Sequence, residues 1–224
     1  MMNHDACRTF PWRAATFLLA ALLLIQTNGF SIFRGTNGIP APPGMVSWWR
    51  CDGNAQDVGD RNHGRLAGGG RFGEGVNGQA LTFDGVDGIA LMPSGGLPIG
   101  HHDRAMVLWC RIDSIVAEES FFAGYGNYGQ HGETYELGAT WGRLFFSQWG
   151  DAIIGPRLQC GVWYHVAASS NDGVTTLYLN GVAVGNADLE LDTPAGSLFT
   201  IGKVDGPYGA IRRLNGSVDE VSVY

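Results

Sequence analysis

The sequence predicts an all-β chain: a two-sheet antiparallel sandwich behind an N-terminal export segment. Three observations carry this. Short runs rich in Val, Ile, Thr and aromatic residues recur from Met45 onward, with turn dipeptides between them. Glycine reaches 35 residues against 9 prolines and interleaves with those runs without a repeat, which reads as turns and not as disorder. After the leader, no window of helical length carries apolar residues at the i, i+3, i+4, i+7 spacing. At 224 residues and 45% hydrophobic, the chain suits one large sandwich, and nothing marks an internal boundary.

Arg8 and Arg13 precede an apolar run, Ala14 to Ile25. That run is too short for a comfortable membrane span and right for the apolar region of a signal peptide. The polar stretch Gln26 to Gly29 follows, without an Ala-x-Ala site. Residues 1–29 are therefore expected to be a signal peptide, with an uncleaved anchor as the alternative. The protein is then secreted, at the cell surface or periplasmic, and no other membrane association is expected. Residues 30–44, with Gly35, Gly38, Pro40, Pro42, Pro43 and Gly44, read as a linker. The domain is expected over 45–224.

Strands are expected at 46–51, 79–83, 89–92, 105–112, 120–125, 134–137, 143–148, 162–169, 175–179, 182–184, 198–201 and 218–224. Asn180-Gly181 lies between Thr-Leu-Tyr-Leu and Val-Ala-Val and predicts a two-residue hairpin with left-handed backbone at both positions. Asp84-Gly85, Asp87-Gly88, Asp172-Gly173 and Asp205-Gly206 mark further turns. Both faces of 163–169 carry bulky residues, so that strand is expected to be central. Cys51, Cys110 and Cys160 would remain after export, and the sequence leaves all three pairings open, along with buried free thiols.

The net charge of −7, with no basic stripe, excludes a nucleic-acid footprint. Catalytic motifs are missing as well. Asp219-Glu220 and Glu118-Glu119 are adjacent, and Glu133 and Glu136 are three apart, so in regular strands each pair points to opposite faces. No nucleophile elbow, zinc-protease motif or phosphate loop occurs. The expectation is that the protein is not an enzyme.

Met-Val-Ser-Trp-Trp-Arg-Cys-Asp-Gly-Asn-Ala-Gln-Asp (45–57) resembles the opening strand and loop of laminin-G-like, concanavalin A-like jelly-roll domains of bacterial secreted proteins. Gly-Gln-Ala-Leu-Thr-Phe-Asp-Gly-Val-Asp (78–87) is similar to that family's second signature. Gly-Val-Trp-Tyr-His-Val-Ala (161–167), with the hairpin at 171–182, resembles its Trp-x-His-Val-Ala unit. Gly-Ser-Val-Asp-Glu-Val-Ser-Val-Tyr (216–224) resembles its closing strand. The four appear in family order. The resemblance implies a jelly roll with first and last strands side by side. It also implies a structural Ca²⁺ near those strands, with Asp219 as one ligand and Asp52 and Asp87 able to join it, although Gly88 stands where an acidic residue often follows Asp87. Jelly-roll endoglucanases of this type carry a Glu-x-Asp-x-x-Glu or Glu-x-Asp-x-Glu strand, which is absent here.

One surface stands out. Tyr125, Tyr128, Trp141 and Trp149 lie in or beside Gly-rich turns. Along 143–149, Leu144, Phe146 and Gln148 share one face and Arg143, Phe145, Ser147 and Trp149 the other. If the first set faces the core, the second is open to solvent or ligand. Aromatic rings beside Arg suit sugars, whose apolar faces stack while their hydroxyls take polar groups. The expected ligand-binding set is Tyr125, Tyr128, Trp141, Arg143, Phe145 and Trp149. The expected function is a secreted recognition module for a glycan or cell-surface partner. The alternative is a structural or adhesive surface protein that makes protein–protein contacts without binding sugar.

Overall fold

The computed structural model describes residues 41–224, and the leader expected at 1–29 lies outside them. Fifteen strands form two antiparallel sheets, joined by turns and a single 3₁₀ turn at Pro207–Ala210. The first sheet contains β1 (Ser47–Trp49), β3 (Arg71–Glu74), β4 (Gln79–Asp84), β6 (Arg104–Ser114), β11 (Trp163–Asn171), β12 (Val174–Leu179), β13 (Val182–Asp188) and β15 (Asn215–Val223). Its order is β13-β12-β11-β6-β15-β4-β3, with β1 also on β15. The second sheet runs β10 (Ala152–Arg157), β9 (Arg143–Ser147), β8 (Thr134–Thr140), β7 (Glu119–Gly126), β14 (Phe199–Ile201), β5 (Ile89–Met92), β2 (Arg65–Ala67).

The expected two-layer, all-β architecture is what forms, with the opening and closing strands paired, Trp49 opposite Val221. Strand β11 is central, between β12 and β6. Asn180-Gly181 takes φ values of 51° and 80°, as its two-residue hairpin demands. Between the sheets lie Leu81, Phe83, Met106, Leu108, Val166, Leu177 and Val218 from one side. Phe122, Tyr125, Tyr135, Leu137, Leu144, Phe146 and Phe199 meet them from the other. Cys51 and Cys110 are buried free thiols in this core, so none of the three open pairings forms.

Strand β15 organises the first sheet. Its first half, Asn215–Val218, pairs with β4, and Val221–Val223 pairs with β1. The handover happens at a bulge over Asp219 and Glu220, where Glu220 has φ 52°.

Candidate functional site

The outer face of the second sheet carries three rows of side chains, fixed by strand register. Thr200, Gly124, Glu136 and Ser147 form one row across β14, β7, β8 and β9. Phe121, Gly138, Phe145 and Ile154 form the next, across β7 to β10. Glu119, Thr140, Arg143 and Arg157 form the third. As expected, Leu144 and Phe146 face the core, which turns Arg143, Phe145 and Ser147 outward.

Much of this face is covered, and that corrects the open surface expected from the sequence. Phe145 is buried. The segment between β14 and β15 brings Tyr208 and Arg212 to Trp149. The Tyr208 ring meets the Trp149 ring edge-on at 4.6 Å, and the Arg212 guanidinium lies 4.5 Å from its centroid. Trp149 also meets Tyr128 at 6.0 Å, and Tyr128 meets Phe121 at 6.2 Å. Trp149 and Tyr128 are half-buried in this stack.

Tyr125 is a second correction. It is fully buried, stacks on Phe199 and donates to the Pro98 carbonyl at 2.8 Å. The bulge between Phe121 and Ala123 turns Phe122, Ala123 and Tyr125 inward, so its ring cannot meet a ligand.

Sequence reasoning missed the ion cluster beneath Trp149. Arg212 donates to Glu136 at 2.5 Å and pairs with Glu119 at 2.9 Å. Burial pushes the Glu136 carboxyl up to about 7, against the pull of Arg212. Burial also raises Glu119, again opposed by Arg212. Gln148 Oε1 and Thr134 Oγ1 are also buried without hydrogen-bond partners.

The edge of the face is open. Trp141 is 55% exposed and sits with Gly142 in the two-residue turn between β8 and β9, with φ values of 48° and 76°. Arg143 and Arg157 are exposed Cα partners across β9 and β10, and Ile154 is 45% exposed in the adjoining row. Elsewhere, a groove of about 400 Å³ is lined by His101, Asp103, Asp172, Asp188 and Glu190 over Leu189 and Leu191. None of the expected site residues contributes to it.

The three aspartates proposed for Ca²⁺ do not converge. Asp52 accepts from the Gln79 amide at 2.9 Å, at the start of β4. Asp87 lies beyond the far end of β4, where it accepts from the Gly69 amide at 2.8 Å. Asp219 accepts from Val76 at 2.9 Å and Asn77 at 3.2 Å through one oxygen, and from Glu220 at 2.9 Å through the other. Asp52 and Asp219 hold the tight β3–β4 turn, and Asp87 holds the β2–β3 turn. A Cβ at Gly78, whose φ is 70°, would lie 2.1 Å from Asp52 Oδ1. Among the described residues no group of three His, Cys, Asp or Glu gathers around a metal-sized position. Asp52 Oδ1, Asp87 Oδ1 and both Asp219 oxygens accept from backbone N–H groups. Burial raises the Asp219 carboxyl to about 6, with the adjacent Glu220 also raising it. The rule that adjacent residues face opposite ways fails at this pair. The bulge lets Asp219 and Glu220 both reach Asn77, Glu220 through the Asn77 side chain at 2.9 Å.

A family model described as the concanavalin A-like lectin/glucanases superfamily matches residues 83–224. No curated protein sequence matches the chain. Among solved structures, the chain is similar to domain 4 of AbnA, a GH43 extracellular arabinanase from Geobacillus stearothermophilus, in complex with arabinotriose. That match has a TM-score of 0.64 and 19% identity, over 80% of this chain and 91% of that one. It is also similar to the Trypanosoma rangeli sialidase in complex with the inhibitor DANA, at a TM-score of 0.62 and 22% identity, over 87% of this chain. The chain spans only 33% of that sialidase. These likenesses are likenesses of fold.

Proposed function

This chain belongs to the concanavalin A-like lectin/glucanase superfamily, and from that premise we propose that it is an exported, non-catalytic module that binds carbohydrate at the open edge of its second sheet. Trp141 carries the reading. The turn it occupies favours Asn, Asp or Gly, because a Cβ in left-handed backbone costs roughly 1–2 kcal/mol. Trp141 accepts that cost at φ 48° and leaves its ring 55% exposed, so the fold gains little from it. Strain that a fold does not use points to a ligand. An exposed indole is a stacking platform for the apolar face of a sugar. The arabinanase domain, solved with arabinotriose, gives the same fold beside an oligosaccharide.

The non-catalytic part of the proposal rests on the carboxylates. Glycoside hydrolysis needs two carboxyl groups flanking an accessible bond. Glu119 and Glu136 do share a face, but both are tied to Arg212, and Glu136 is 0% exposed.

The test is an oligosaccharide array probed with the protein and with Trp141→Ala. Binding should fall about tenfold or more in the variant, the loss of roughly 1.4 kcal/mol, with the melting temperature held. A silent array, or binding unchanged in the variant, would remove the reading in favour of protein–protein contacts.

A further inference from the structure

We propose that Arg143 and Arg157 make this edge specific for an anionic saccharide, one bearing a carboxylate or sulfate close to the ring that stacks at Trp141. The proposal rests on the carbohydrate reading of Trp141 and adds the chemical class of the ligand. Its evidence is the placement of two charges that the fold does not use.

Arg143 and Arg157 are directly opposed across β9 and β10. Opposed side chains in an antiparallel pair share a face with Cβ atoms about 5 Å apart, and like charges there repel. A protein with 21 acidic and 14 basic residues had every means to set a carboxylate between them. Neither takes part in any of the ion pairs among the described residues. In the same row, Glu119 holds Arg212 instead. Among the described residues, no ion pair compensates this repulsion.

The geometry also aims the pair. Arg143 donates its Nε to the Gly155 carbonyl at 3.2 Å, which fixes the guanidinium plane while both terminal nitrogens remain for other acceptors. The Arg157 Nη1 lies 3.2 Å from the position of a Cβ at Gly142, so its guanidinium stands beside the turn that presents Trp141. A bulge between Ile154 and Arg157 brings it there. Two guanidinium forks next to each other match the paired oxygens of a carboxylate or sulfate. The exposed Ile154, in the adjoining row, and the exposed Trp141 indole add apolar surface at this edge. A sugar ring carrying an acid group presents both features within one residue, an apolar face and an adjacent pair of anionic oxygens. An acidic peptide supplies the anion but not the rigid ring, so the observations favour the saccharide.

The experiment is titration calorimetry of the protein with matched oligosaccharides: neutral, uronate-bearing and sulfated. At least one charged series should bind about tenfold or more tightly than its neutral counterpart, and the series that binds identifies the group. Raising the salt from about 0.05 to 0.5 M should weaken that binding and leave any neutral binding alone. In the double variant Arg143→Gln/Arg157→Gln the charged ligand should bind no better than the neutral one. Its melting temperature without ligand should hold or rise, since a repulsion is removed, so a loss of affinity cannot be a loss of fold. Equal affinity for neutral and charged sugars, or a charge preference that survives the double variant, overturns the proposal. Neutral binding lost in Trp141→Ala but indifferent to both arginines would overturn it while leaving the carbohydrate reading intact. Poly-glutamate binding as tightly as the charged sugars would overturn the saccharide class, and binding of no sugar at all would overturn both readings.

Discussion

Three arginines stand near one row of the second sheet, and they are treated in opposite ways. At one end Arg212 lies against the Trp149 ring, holds Glu119 and Glu136, and is nearly covered, its side chain 12% exposed. At the other end Arg143 and Arg157 face solvent and each other, with no carboxylate paired to either among the described residues. The difference follows from what lies above each. The Pro207–Ala210 turn brings Tyr208 onto Trp149, and a charge beneath that cover must be matched. Among the described residues nothing covers the β9–β10 edge in this way, so solvent or a ligand can match its charge. The comparison teaches that a cation in a family site is read by its partners: where carboxylates complete it, it belongs to the fold, and where nothing does, it is available.

The comparison breaks most visibly through Arg212. Arg212→Met leaves Glu136 buried beside no cation, and it should cost about 3 kcal/mol or more in urea unfolding, as for a broken buried pair. Arg143→Met, on the open edge, should stay within about 0.5 kcal/mol. Similar costs for the two would mean that both arginines serve the fold.

A smaller effect lies in pH. The folded Glu136 carboxyl sits at about 7, above its ordinary 4.5, so the folded chain holds that proton more tightly than the unfolded one. The associated stability is present below about 4.5 and is lost as pH rises through about 7. Glu136→Gln removes this slope. The wild type should therefore lose more melting temperature than the variant between about pH 4.5 and 7. Burial also raises Asp219, but it adds the same slope to both proteins and cancels in the difference. Parallel profiles would mean that Arg212 keeps Glu136 ionised throughout.

The smallest effect concerns the turn itself. Trp141→Asn suits left-handed backbone better and should raise the melting temperature by about 1–2 °C while abolishing sugar binding. A stability gain paired with a binding loss would show that the strain at φ 48° serves recognition.

Strand periodicity and turn chemistry made most of the fold legible. The Asn180-Gly181 hairpin needed no more than alternation and left-handed turn residues, while the pairing of the opening and closing strands came through the family resemblance. Strands β2 and β3 escaped because they are short and separated by Gly68, Gly69 and Gly70. Strand β10 escaped because Gly155 and Pro156 interrupt it, which an edge strand tolerates. The site was legible only in part. Outward Arg143 and exposed Trp141 follow from alternation and a turn. Tyr125, expected in the site for its Gly-rich neighbourhood, is turned inward by the β7 bulge, and the Asp219-Glu220 pair departs from simple alternation because a bulge resets the parity of β15. The Glu136–Arg212 contact joins residues 76 positions apart, and no local pattern reports such a meeting.

The position of β15 also bears on how the protein is made. Partners as distant as Trp48 and Glu220, 172 residues apart, meet only once this strand exists, and β1, β4 and β6 all pair with it. On a ribosome those three strands emerge early and wait with open edges while the second sheet and the β11–β13 hairpins are translated. Contacts of such long range slow folding, and unpaired edges invite association between neighbouring chains. Until β15 is made, β1, β4 and β6 lack their shared partner, and their unpaired edges are open to association with other chains.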